Sequence, residues 1–121
     1  TDEGVISVWH RPRDITLLMD YLLKDSKWVD VIDENRIGAA GFSSGGYTVL
    51  ALAGAIYDPE LMSAYCTSEE RGKDCELATE SSSVDFGGSS ASYKDERIKS
   101  VFSMWKLPGR TDKRTVLLNL Q

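Results

Sequence analysis

Arg36-Ile37-Gly38-Ala39-Ala40-Gly41-Phe42-Ser43-Ser44-Gly45-Gly46-Tyr47 is the stretch on which the fold turns. Its first half, Ile37 to Phe42, is small and apolar, and Asp33-Glu34-Asn35-Arg36 bounds it on the polar side. Such a run predicts a short strand buried on both faces, as in a parallel sheet. Its second half leads into residues 44–56, where Tyr47, Val49, Leu50, Ala51, Leu52, Ala53, Ala55 and Ile56 leave almost no polar face. That predicts a buried helix. Between them stands G-x-S-x-G, as Gly41, Ser43 and Gly45. The pattern alone turns up in roughly one chain in ten at ordinary Gly and Ser frequencies, so its setting carries the weight. A strand that ends at the serine and a helix that starts just after it are what the motif requires.

The residue types have physical reasons. A serine at the tip of so sharp a turn holds an unusual backbone conformation, and small residues two before and two after it keep strand and helix from colliding. The turn lifts the Ser43 hydroxyl to the carboxyl end of the sheet, where open α/β folds bind ligands. The N–H groups of the following helix face the same place, so Ser44 N–H can donate to an oxyanion, and Gly46 leaves further room in the first turn. The plainer alternative makes Ser43 an N-cap, with Gly41 and Gly45 as turn residues. A third places an anion such as phosphate at the Ser-Gly-Gly turn.

Working outward, Arg11-Pro12-Arg13-Asp14 opens a segment with apolar residues at Ile15, Leu18, Met19, Leu22 and Leu23, one face of a helix over about 12–25. Val5, Ile6, Val8 and Trp9 suit a strand end or a packed loop. Asp25 to Arg36 reads as a connection with a helical turn near Trp28-Val29. Residues 57–96 change character, with Asp58-Pro59, Cys66, Cys75, Ser81-Ser82-Ser83 and Gly87-Gly88, and are expected to form a loop excursion with a short helix near 59–65. Arg97 to Met104 reads as a second strand and 115–120 as a third. Helices between strands imply an α/β layer with mostly parallel pairing, in one domain over residues 1–121.

The order Arg11-Pro12-x-Asp14, then Arg36-Ile37-Gly38-x-x-Gly41-Phe42-Ser43-x-Gly45-Gly46-Tyr47, then Leu52-Ala53-Gly54-Ala55, resembles the dienelactone-hydrolase-like branch of the α/β-hydrolases. That branch is similar to platelet-activating-factor acetylhydrolases and to bacterial polyester-degrading esterases. The likeness covers residues 9–57, extends to 93–104 and fades after Met104. It implies a partial α/β-hydrolase fold with flanking helices and a nucleophile elbow. It also implies hydrolysis of small carboxylic esters through Ser43, one oxyanion donor at Ser44, and no metal or organic cofactor. The family orders its triad Ser, then Asp or Glu, then His. Here the one histidine, His10, precedes the serine and reads as a surface or packing residue. Asp85, Asp95 and Asp112 qualify as acids by type alone, and each reads as a solvated loop residue. If 115–120 is the strand before the acid, that acid lies past residue 121. The chain therefore matches the middle of a hydrolase. The alternative is a non-catalytic truncated hydrolase fold, self-associating through strand edges at 37–42 and 98–103 or completed by a partner chain.

Of 121 residues, 41% are hydrophobic and 27% charged, which suits one globular domain. Fourteen Lys and Arg against 19 Asp and Glu give a net charge of −5, which speaks against nucleic-acid binding. No run is long enough for a membrane-spanning helix. Cys66 and Cys75 are two unrelated thiols or a local disulfide. The disulfide would suit a periplasmic or secreted protein, and free thiols a cytoplasmic one. Two cysteines and one distant histidine make no zinc site.

Overall fold

A computed structural model describes residues 8–69, 71–72, 75 and 87–104, together with the backbone of 115–119. The elements are α1 (His10–Leu22), a 3-10 turn (Glu34–Arg36), β1 (Ile37–Phe42), α2 (Ser44–Leu52), α3 (Pro59–Thr67), β2 (Ile98–Met104) and β3 (Thr115–Asn119). They form a small α/β domain with a three-stranded sheet in the order β1-β2-β3.

The sheet is mixed. β1 and β2 are parallel, with Ala39 beside Val101, Gly41 beside Ser103 and Phe42 beside Met104. β3 is antiparallel to β2, with Thr115 beside Met104 and Asn119 beside Ser100. The expectation of mostly parallel pairing thus holds for one of two pairs. β2 stands at the centre of the sheet and is paired on both sides, so the edge expected at 98–103 is not an edge.

α1 and α2 lie on one face. Met19 of α1, Val49 and Leu52 of α2, and Ile98 and Val101 of β2 form the core, with Ile15, Ile37, Ala39 and Ala53 packed against it. Leu52 is fully buried. The small residues of β1 matter here, because side chains alternate across a strand and Ala39 and Gly41 are the ones beneath α2. The other face corrects the reading of a strand buried on both sides. Along β1, residues alternate between half-buried and exposed. Phe42 is 75% exposed, and Phe102 and Met104, its neighbours on that face, are also exposed. No element among the described residues covers them, because α1 and α2 both use the opposite face.

Helix ends follow local chemistry. α1 starts at His10, so Pro12 falls inside its first turn and is buried, while Asp14 lies beyond that turn. Leu18 is exposed despite its place in the apolar pattern, since α1 meets neighbours along a narrower stripe. The turn expected near Trp28 forms, with Trp28 and Val29 N–H both donating to Asp25 O. α2 stops four residues short of the expected end. Gly54 adopts φ 106°, and its N–H donates to Ala51 O while Ala55 N–H donates to Leu50 O. This left-handed closure satisfies carbonyls that the next turn would have used.

Within the segment expected as a loop excursion, α3 is capped by Asp58, whose carboxylate accepts from Glu60 and Leu61 N–H. Cys66, near its end, is bonded to Cys75 with Cα atoms 5.5 Å apart. A disulfide is compatible with an oxidising, extracellular setting. No helix among the described residues is long and apolar enough to cross a membrane. Val5, Ile6, Asp85 and Asp112 lie outside the described residues.

Candidate functional site

The parallel pair sets the site. Where β1 ends, Ser43 N–H still donates to Met104 O of β2 at 3.0 Å, so the strand pairing runs up to the serine itself. One residue later α2 begins. The reversal is made at Ser43, with φ 54° and ψ −121°. It is the single non-glycine residue with positive φ among the described residues. Such a conformation costs an L-residue on the order of 1–3 kcal/mol and persists only where its surroundings hold it.

Gly41 is the closest approach. A β-carbon there would overlap the Gly45 carbonyl group and lie 2.8 Å from Gly46 N. Gly45 differs from the sequence expectation, since a β-carbon on it would meet open space. Only the glycine before the serine is needed to keep strand and helix apart.

Ser43 is exposed at the start of α2. Its side chain caps nothing: no side-chain hydrogen bond closes the helix start. Gly46 and Tyr47 N–H both donate to Ser43 O, at 2.8 and 3.3 Å. Ser44 N–H, one residue after Ser43, is left outside those turn bonds, at the positive end of the helix. The reading of Ser43 as a simple N-cap is therefore set aside.

The strain gives a stability prediction. Ser43→Gly relieves the backbone cost and is expected to raise stability by about 1 kcal/mol, whereas Ser43→Ala keeps the strain and stays within about 0.5 kcal/mol of the parent. Urea unfolding of the two variants measures the difference. Equal stabilities would mean that the turn is not strained.

Among the described residues the triad candidates are not assembled. Asp95 is buried, not a solvated loop residue, and sits before β2 at the amino end of the sheet. Ser43 is at the carboxyl end, a strand length of roughly 20 Å away. Asp95 accepts from Arg97 and Thr16, and Arg97 also pairs with Asp20 of α1. The Arg97 hydrogen bonds hold the Asp95 carboxyl below the ordinary aspartate range, against the opposing effect of burial. The direction of β3 matters too. It starts beside Met104 and runs toward Ser100, so it carries the chain away from the elbow. An acid placed after that strand would leave at the end remote from Ser43. His10 is exposed, its ring 5.8 Å from that of Trp9, and no hydrogen bond among the described residues joins it to Ser43.

Comparison with protein-family models, curated proteins and solved structures finds no match to this chain. What the site can do is therefore read from its own geometry.

Two features escaped the sequence reading. The first is an open cleft of about 420 Å³ between α1, β1 and the start of α2, reaching from Arg11 and Asp14 to Gly45 and Thr48. Arg11 lines this cleft together with Gly45 and Thr48 while Asp20 pairs with Arg97, so α1 runs antiparallel to β1 and brings its start to the Ser43 end. The second is Ser103, whose hydroxyl donates to Gly46 O at 3.1 Å. A signal for Ser103 existed: it shares the buried period-two positions of β2 with Val101, where a polar residue needs a partner. Tyr47, on the first turn of α2, is pushed above the ordinary phenol range by burial and then by Tyr93 and Tyr57, so it stays protonated at neutral pH. No group of three or more His, Cys, Asp or Glu among the described residues could hold a metal ion.

Proposed function

We propose that this chain carries the nucleophile of a serine hydrolase acting on carboxylic esters, within a partial α/β-hydrolase fold. The observation behind the reading is the exposed, strained Ser43 at the strand-to-helix turn, its hydroxyl not used as a cap. Ser43 Oγ attacks the ester carbonyl carbon, the alcohol leaves, and water releases the acid from the acyl-enzyme. Ser44 N–H supports the negative oxygen formed on the way. Gly41 permits the turn, and Gly45 leaves open space beside it. Such chemistry needs no cofactor. It does need a base to take the serine proton, and an unassisted serine hydroxyl is a weak nucleophile at neutral pH. On this reading the base comes from outside the described residues. With the disulfide, the reading places the protein in the periplasm or outside the cell.

A fluorophosphonate probe tests this. The expected result is a single adduct, mapped to the Ser43 peptide by mass spectrometry and absent in Ser43→Ala. An intact wild-type chain that stays unmodified after long incubation would overturn competence of the chain by itself.

The bare sheet face favours a second reading, a non-catalytic domain that self-associates. Phe42, Phe102 and Met104 present an apolar surface, and β1 pairs on one side only among the described residues. Sedimentation at micromolar concentration is then expected to give a dimer or larger species. A monomer would refute it.

A further inference from the structure

We propose that Ser103 is a positioning residue for the elbow, an inference that rests on the hydrolase reading for its catalytic consequence. Ser103 is 1% exposed, and its hydroxyl donates to Gly46 O at 3.1 Å. Gly46 belongs to the first turn of α2, three residues after Ser43. On the other side of the turn, Met104 O accepts from Ser43 N–H at 3.0 Å. Two adjacent residues of β2 thus grip the chain before and after the strained residue. The Met104 contact is backbone and survives any substitution. The Ser103 contact is the one that depends on a side chain.

Register shows why the grip falls there. Ser103 pairs with Gly41, the residue whose missing side chain lets α2 approach the sheet. The absent β-carbon brings the helix close, and the neighbouring hydroxyl ties it down. A strained conformation lasts only where several contacts over-determine it, and the bond from Ser103 supplies one of them. Its loss leaves the first turn of α2 free to shift. Ser44 N–H then no longer points to one fixed place beside Ser43 Oγ, and a displacement of this kind lowers the rate without removing any reacting group. A buried hydroxyl of this sort would otherwise be an odd choice at a position shared with Val101.

Ser103→Thr and Ser103→Val differ in a hydroxyl and share a shape. Thr is expected to keep amide exchange at Gly46 and Tyr47 close to wild type. Val is expected to speed that exchange roughly three- to tenfold and to slow phosphonate labelling of Ser43 by a similar factor, with melting temperatures of the two variants alike. Equal exchange in Thr and Val overturns the proposal. Should both variants fail to fold, Ser103→Ala against wild type reads the same two amides, and unchanged exchange overturns it. Faster exchange in Val with labelling equal to that in Thr overturns the catalytic consequence. A wild-type chain that takes no label at all counts against the hydrolase reading instead, and the exchange comparison still decides whether Ser103 holds the turn.

Discussion

Gly41→Ala is expected to destabilise the domain by at least about 3 kcal/mol, near the upper end of what overpacking costs. Most glycine-to-alanine changes in strands are mild, and several remove unfolded-state entropy to advantage. Here the added carbon falls on backbone, the carbonyl of Gly45 and the amide of Gly46, and neither can swing aside as a side chain would. The helix must lift off the sheet. Lifting it separates Val49 and Leu52 from Ile98 and Val101, which is most of the core. Gly45→Ala is the matched control. Its new methyl meets open space, and alanine is the better helix former, so stability should stay level or rise by up to about 1 kcal/mol. Thermal and urea unfolding of both variants measure the contrast. Equal costs at the two glycines would mean that strand and helix do not cross as closely as described.

That pair of glycines shows where the sequence was legible and where it was not. The motif treats Gly41 and Gly45 alike, because both flank the serine at the same spacing. Space around each is a tertiary property, and only the path of α2 over β1 separates them. The same division runs through the fold. The strand at Ile37–Phe42 and the start of α2 were legible because a small-residue run, a serine and a glycine pair dictate them locally. The early end of α2 was hidden by Ala53, Ala55 and Ile56, which continue the apolar pattern past Gly54. The bare side of β1 was hidden for a related reason. Gly38, Ala40 and Phe42 are apolar whether or not anything covers them, and composition does not record what packs on a strand. Asp95 was misread because its neighbours Lys94, Glu96 and Arg97 look like a charged loop. The partners that bury it, Thr16 and the Arg97–Asp20 pair, come from a helix almost eighty residues earlier.

Arg97→Ala is expected to cost about 3 kcal/mol, since it removes the guanidinium and leaves the Asp95 carboxylate buried with the backbone N–H of residue 97 and the Thr16 hydroxyl as its donors. The Asp20 bond adds little to that figure, because the Asp20 side chain is 45% exposed and solvent screens it. The pH dependence makes the cause visible. In the wild type the folded Asp95 carboxyl titrates below its unfolded value of 3.8, chiefly because Arg97 donates to it. The unfolded chain then binds more protons in that range, so the Asp95 contribution is full above pH 3.8 and is lost as the pH falls toward the folded value. Without the guanidinium, burial is opposed only by the backbone N–H of residue 97 and the Thr16 hydroxyl, so the folded carboxyl titrates higher than in the wild type. The deficit of the variant is therefore largest near neutral pH and shrinks as acid protonates Asp95. The gap in urea midpoint between variant and wild type should narrow from about pH 7 to about pH 3. The double variant Arg97→Met with Asp95→Leu, which removes both charges, should recover most of the loss at neutral pH. A deficit that stays constant with pH, or a double variant no better than Arg97→Ala, would show that Arg97 stabilises α1 through packing and not through the buried carboxylate.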